Sequence, residues 1–393
     1  MMRPTAGNLA RIRIAILLVV VAVVLGRAAG VPAYADGASF VVIAAGMQGA
    51  ARRVAAWNTT DVSVVQMPPV PWRAGTLKAR TYQPLHVSGR GIVLVPGVHA
   101  AGIDEPRLVG FAREIAGMGH PVLTVELPDL THYSITTRTT DMIEDAVAWS
   151  LTRPEYRGRD GRVGLLGISF GGGLSIVAAG RPSIRDRVAF VMAFGGHADL
   201  PRTLRYLCTG VQPDGAVRPP HDYGLAIVLL GAADRVVPAA QVQPLRDAIL
   251  AFLEASRLSM VDQARAAQEF ERAKQLEATL EEPSRTYMQY VNARDVAKLG
   301  PVLLPHVGEL GGDPALSPAR SSFPRGPVYL LHGSDDNVVP AIESTLLGRE
   351  LESRSIKAHV LLTPLITHAE VDRGSTMAAI WRLIDFWADV LHE

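Results

Sequence analysis

A serine, a histidine and two aspartate loops stand in this 393-residue chain with the types and spacing that acyl-transfer chemistry needs. A serine hydroxyl is too weakly acidic to attack an acyl carbon alone. It needs an imidazole to take the proton and a carboxylate to hold that imidazole. Ser169 sits in Gly167-Ile168-Ser169-Phe170-Gly171, after the apolar run Val163 to Leu166 and before the small-residue run Leu174 to Ala179. The pattern predicts a strand, a tight turn and a helix. Gly167 and Gly171 leave room around the strained residue between them. The helix N-terminus then sets backbone N–H groups and a positive dipole end where an oxyanion would form.

For the carboxylate the sequence offers two loops of the same G-x-x-D-x-x-V-P form. One is Gly231-Ala232-Ala233-Asp234-Arg235-Val236-Val237-Pro238 and the other Gly333-Ser334-Asp335-Asp336-Asn337-Val338-Val339-Pro340, each after an apolar run. Motif alone does not choose between Asp234 and Asp336. The histidine candidate, His368, follows the next apolar segment after the second loop.

With these residues in the order Ser, Asp, His, the chain resembles an α/β-hydrolase over roughly residues 60 to 390, interrupted by a long insert. The resemblance implies a mostly parallel central sheet with helices on both faces and a helical cap insert. It also implies which acid is used. Asp336 lies 32 residues before His368, room for one helix and one strand, whereas Asp234 lies 134 residues before it. Asp335 is one residue short of the matched spacing and is expected to point away. In the family, one oxyanion N–H comes from the turn after an early strand and one from the residue after the nucleophile; here these are Val98 and Phe170. Pro96 departs from the pattern, because many members carry a histidine before that turn's glycine.

The expected activity is hydrolysis of a carboxylic ester in a small acyl substrate through an acyl-enzyme. A peptidase or acyltransferase on the same triad is the near alternative. A non-catalytic binding protein of the same fold is the alternative of a different class. No cofactor or metal is expected, since the chain carries neither a P-loop nor an H-E-x-x-H helix. Lys+Arg 39 against Asp+Glu 38 gives net +1 without a basic block, which excludes nucleic acid as an expected partner. A lone Cys208 excludes an internal disulfide and reads as a small buried apolar residue. Oligomeric state is not legible.

The N-terminus reads as an export segment. Arg3, Arg11 and Arg13 precede the apolar run Ile14 to Leu25, and Ala33-Tyr34-Ala35 supplies an A-x-A pattern before Asp36. Twelve residues fall short of the ~20 that span a bilayer, so the segment reads as a cleaved signal or as an uncleaved anchor that includes Ala28 to Ala35. Either reading puts the catalytic domain across the cytoplasmic membrane, in the periplasm, secreted, or membrane-held.

The elements that must position these groups follow from pattern. Residues 1–35 form the signal or anchor, and 36–60 an amphipathic lead-in helix expected to pack on the domain. Residues 61–195 form the first part of the core, 196–325 the cap, and 326–393 the second part. Val62 to Met67 and Leu77 to Tyr82 predict an antiparallel pair separated by the Pro68-Pro69-Val70-Pro71 punctuation. Gly91 to Pro96, Pro121 to Glu126, Val188 to Phe194, Val328 to Leu331 and Lys357 to Leu362 predict further strands. Asp104 is expected to cap a helix begun by Pro106, and Asp141 with Glu144 to form a capping pair. His99 and His332 read as locally satisfied histidines. Trp381 and Trp387 of the closing helix read as core.

Overall fold

The computed structural model describes residues 32–259, 261–367, 370–371 and 377–393. The charged start, the apolar run to Leu25 and His368 therefore lie outside the described residues. Within them, eight strands form one sheet in the order β1-β2-β4-β3-β5-β6-β7-β8. They are β1 (Val62–Trp72), β2 (Gly75–Pro84), β3 (Ile92–Val95), β4 (Val122–Val125), β5 (Val163–Ile168), β6 (Val188–Phe194), β7 (Val328–Gly333) and β8 (Ala358–Thr363). Strands β3 to β8 pair in parallel, and β2 runs antiparallel to both β1 and β4. Strands β3 and β6 are apolar throughout and β4 is apolar but for the buried Thr124, because helices cover both faces of the sheet there.

The hairpin is longer than its proline cluster suggests. Pro68 and Pro69 interrupt the register between Met67 and Val70, and pairing then resumes as far as Trp72 and Gly75. A proline lacks the N–H that a ladder needs, and β1 is the edge strand, where an irregularity is tolerated.

Helices α1 (Pro32–Ala44), α2 (Ala50–Ala55), α3 (Pro106–Gly117), α4 (Thr137–Ser150), α5 (Phe170–Ala179) and α6 (Leu200–Thr209) come before the bulk of the insert. The insert continues with α7 (Asp222–Val236), α8 (Ala239–Leu258), α9 (Gln263–Thr279), α10 (Ser284–Ala293) and α11 (Val296–Leu303). After it come α12 (Ile342–Ser353) and the closing α13 (Met377–His392). One core joins Phe40 of α1, Ile115 of α3 and Trp387 of α13 to the Leu94 and Met192 face of the sheet. On the other face, Ile143 of α4 and Leu174 of α5 share a continuous cluster with Leu229 of α7 and Phe252 of α8. The insert is thus packed into the main core.

Several expectations change in detail. The lead-in segment is two helices and a further turn, Ala56–Asn58, and α1 is buried on all sides from Gly37 to Ile43, so it carries no polar face. Glu105, rather than Asp104, caps α3, its Oε2 accepting from Leu108 N at 2.7 Å. Asp104 instead pairs with Lys78 and Arg80 of β2. Asp141 and Glu144 lie inside α4 and bind Arg181 and Arg73, tying the β1–β2 hairpin to that helix. Trp387 is buried, but Trp381 is partly exposed and faces Tyr34 with ring centroids 6.2 Å apart.

Candidate active site

Ser169 occupies the turn between β5 and α5 with φ 53° and ψ −132°, a conformation that L-residues avoid. Its N–H donates to Phe194 O at 2.7 Å, which anchors the turn to β6, and its side chain caps no helix. Two close backbone approaches explain the flanking glycines. A Cβ on Gly171 would stand 2.1 Å from Pro96 O, and one on Gly167 would stand 2.4 Å from Gly171 O. No side chain fits at either position.

The same approach brings the turn after β3 onto the serine. A Cβ on Gly97 would lie 3.2 Å from Ser169 Cβ, so Pro96-Gly97-Val98 packs directly against the nucleophile candidate. Phe170 begins α5, where the first N–H groups of a helix have no intrahelical acceptor. Phe170 is buried against His197, with rings 5.4 Å apart. His99, next in the turn, is held locally, its Nδ1 accepting from Ala101 N at 3.2 Å. Burial lowers its pKa from the usual imidazole value, with Arg107 and Arg257 adding to that effect and Glu105 and Glu254 opposing it.

The two aspartate loops part company completely. Asp336 follows β7 and is 2% exposed; its Oδ1 accepts from Val338 N at 2.8 Å and Val339 N at 3.0 Å, and its Oδ2 stands 3.4 Å from His332 Nε2. A Cβ on Gly195, just past β6, would lie 3.4 Å from the same Oδ2. Asp336 therefore sits at the carboxyl ends of the strands, on the same edge as Ser169. His332 is fully buried, bonded to Ser344 Oγ at 2.7 Å and Val339 O at 2.9 Å, and so supports the loop that carries Asp336. Asp335 points outward to Arg218. Asp234 lies on α7, because the run Leu225 to Leu230 is helical; its side chain is 52% exposed and pairs with Arg235 at 2.8 Å. The G-x-x-D-x-x-V-P form there is the end of a helix.

The insert reaches this edge from two sides. Tyr206 Oη and His221 N both donate to Asn337 O, at 3.3 Å and 2.8 Å. From α8, Glu254 and Arg257, paired at 2.5 Å, act electrostatically on His99 and Tyr133. Ser169 is left 8% exposed. Pattern reading missed two tyrosines here. Tyr133 has φ 57°, and burial pushes its phenol up to about 12. Tyr223 is pushed further, by burial first and then by the charge of Asp336. Tyr133 lies in the segment after β4, which no motif marks, and no periodicity singles out Tyr223. Cys208 is buried and pushed by burial to about 12, an inert thiol. Among the described residues no group of acidic, histidine and cysteine side chains could hold a metal ion.

No family model matches the sequence, and no curated protein sequence matches it. Solved structures do align. An esterase of Pyrobaculum calidifontis is 15% identical, with 91% of each chain covered and a TM-score of 0.45. EstE1, a carboxylesterase cloned from a metagenomic library, is 15% identical over 91% of this chain and 95% of that one, with a TM-score of 0.46. An acylaminoacyl peptidase of Pyrococcus horikoshii is 14% identical over 84% of this chain and 40% of that longer one, with a TM-score of 0.43. The strand order, the antiparallel β2 and the strand-to-helix turn at Ser169 make this the α/β-hydrolase fold.

Proposed function

We propose that the protein is an exported serine hydrolase that cleaves carboxylic esters. The observation that carries the reading is Ser169 held at positive φ between β5 and α5, with the Gly97-Val98 turn against it and Asp336 buried on the same sheet edge. In this mechanism Ser169 Oγ attacks the acyl carbon while His368 takes its proton, and Asp336 orients the imidazole. N–H groups of Phe170 and Val98 hold the tetrahedral oxyanion, each worth on the order of a few kcal/mol. The alcohol leaves with the proton from His368. Water, deprotonated by the same histidine, then attacks the ester and returns the acid and free Ser169. A peptidase or acyltransferase would use the same groups and differ in leaving group or acceptor, while a binding protein would need none of them.

The test is turnover by purified protein of p-nitrophenyl esters of graded chain length beside aminoacyl anilides, with Ser169→Ala as control. Wild type is expected to hydrolyse esters and to be labelled at Ser169 by a fluorophosphonate. The variant should lose both and keep its Tm. Full activity in Ser169→Ala overturns the mechanism, and anilides turned over in preference to esters favour the peptidase. Export rests on the arginines before Ile14, the run to Leu25 and the A-x-A pattern. Its test is protease accessibility of the catalytic domain in intact spheroplasts. Protection there overturns it.

A further inference from the structure

Three of the most exposed large apolar side chains belong to segments that lie side by side. Trp57 is 60% exposed, Leu85 69% and Val87 60%. Leu85 N donates to Asp61 O at 2.8 Å, and Thr60 Oγ1 lies 3.1 Å from His86 Nδ1, so residues 57–61 and 85–88 form one surface. Between them runs a groove of about 680 Å³, lined among others by Pro32, Ala35, Trp57, Thr60 and His86. Arg52, Arg53 and Trp57 are exposed on the outer side of α2 and the turn that follows it. Asp61 is exposed beside them, and Asp36 in the groove is held by His392 Nε2 at 3.0 Å. A tryptophan flanked by aliphatic side chains and arginines suits the boundary between lipid and water.

Chain length says what covers this surface. The apolar run ends at Leu25 and the groove begins at Pro32, seven residues later. Seven residues span at most ~25 Å even when fully extended. A bilayer that holds the run lies within that reach of Pro32, which lines this groove. The sheet fixes which face that is. Residues 85–88 lead into the start of β3, Gly119 precedes β4, and Ser88 N donates to Gly119 O at 3.0 Å. The patch is thus at the amino ends of the parallel strands, and Ser169 and Asp336 follow their carboxyl ends.

We infer that the Trp57, Leu85 and Val87 face rests on the lipid bilayer next to the retained N-terminal run, with the catalytic edge turned away toward water. The inference rests on the export reading and adds the orientation. It implies that substrate arrives from the aqueous side.

The full chain, extracted from membranes in detergent, is reconstituted into vesicles of phosphatidylcholine with phosphatidylglycerol. It carries an environment-sensitive fluorophore at Leu85→Cys or Val87→Cys, with Val261→Cys as a control, since Val261 is 71% exposed on the cap and Cys208 is buried. Quenching by nitroxide lipids is expected to be several-fold stronger at positions 85 and 87 than at 261. Hydrolysis of a water-soluble ester should be unchanged by the labels. Three results overturn the inference and are distinguishable. Chain that fails to float with vesicles removes the anchor itself. Chain that floats while positions 85 and 87 are quenched only by aqueous iodide removes the orientation alone. A fluorescence change that depends on protein concentration without vesicles assigns the face to a second copy.

Discussion

At the scale of single residues, Asp336 and Asp234 show what a motif can and cannot carry. Both occur in the same eight-residue form, but one follows a buried strand and the other ends a helix. An apolar run of six residues fits either, and the structure separates them by burial and by partner: two backbone N–H groups to Asp336, the Arg235 guanidinium to Asp234. Asp336→Asn is expected to lower kcat by about 10⁴, as for the aspartate of the well-studied triad, because the imidazole is left in the wrong tautomer. Asp234→Asn should cost less than twofold. Steady-state kinetics on one p-nitrophenyl ester decides, and the reverse pattern overturns the acid assignment. The elbow was legible because glycine leaves a mark in sequence, whereas the two tyrosines over the site left none. Glu114 is another residue no pattern announced. Burial raises its carboxyl from 4.5 to about 7, with Arg52 opposing. Between these values the folded chain holds a proton that the unfolded chain has lost, so the group costs little below about pH 4.5, destabilises increasingly toward pH 7 and levels off above it. Glu114→Gln should therefore match wild type near pH 4.5. Above pH 7 it should gain about 2 kcal/mol after allowance for partial exposure, read as a pH-dependent rise in Tm. A gain independent of pH would show that Glu114 is not the titrating group.

Elements hold the site through polar ties that the sequence could not announce, because each joins residues far apart in the chain. Glu343, in the first turn of α12, is fully buried and accepts from Ala198 N at 2.9 Å, Asp199 N at 3.0 Å and Arg202 Nε at 2.5 Å. It thereby fastens the segment after β6, the first turn of α6 and the helix after the acid loop to one another. Periodicity locates α6 and α12 but says nothing of which charge on one meets which on the other. Arg202→Ala leaves the carboxylate buried with backbone donors only. The expected loss is on the order of 2 kcal/mol in chemical denaturation. Its local readout is faster hydrogen exchange at 196–200 and 336–343, and loss of stability without that local change would reduce Glu343 to a general packing role.

The whole molecule decides what the insert between residues 196 and 325 is. Boundaries at 196 and 325 mark where the strand pattern stops and resumes, and they suggest a lid that could be removed. Packing contradicts that separability in one respect. Leu245, Ala248, Ile249 and Phe252 of α8 are each fully buried, in the same continuous cluster as Leu174 of α5 and Val191 of β6. Burying an aliphatic or phenyl side chain is worth about 1.5–3 kcal/mol, so losing several such contacts at once removes free energy comparable to the ~5–15 kcal/mol by which a domain is stable. Excision of residues 243–280 is therefore expected to yield protein that does not fold, whereas the intact chain should unfold in one step, with tryptophan fluorescence and far-UV circular dichroism giving coincident transitions. Selectivity has to be tested from the rim. Arg257, bound to Glu254 and acting on His99 and Tyr133, is partly exposed and outside the shared core. Arg257→Leu should change KM across esters of different chain length while leaving kcat for a short acetyl ester within about threefold, the split expected of a group that binds substrate without stabilising the transition state. Equal loss of kcat on every ester, with Tm unchanged, would move Arg257 into the oxyanion region. A stable, active excised chain would show that the insert is a separate domain after all.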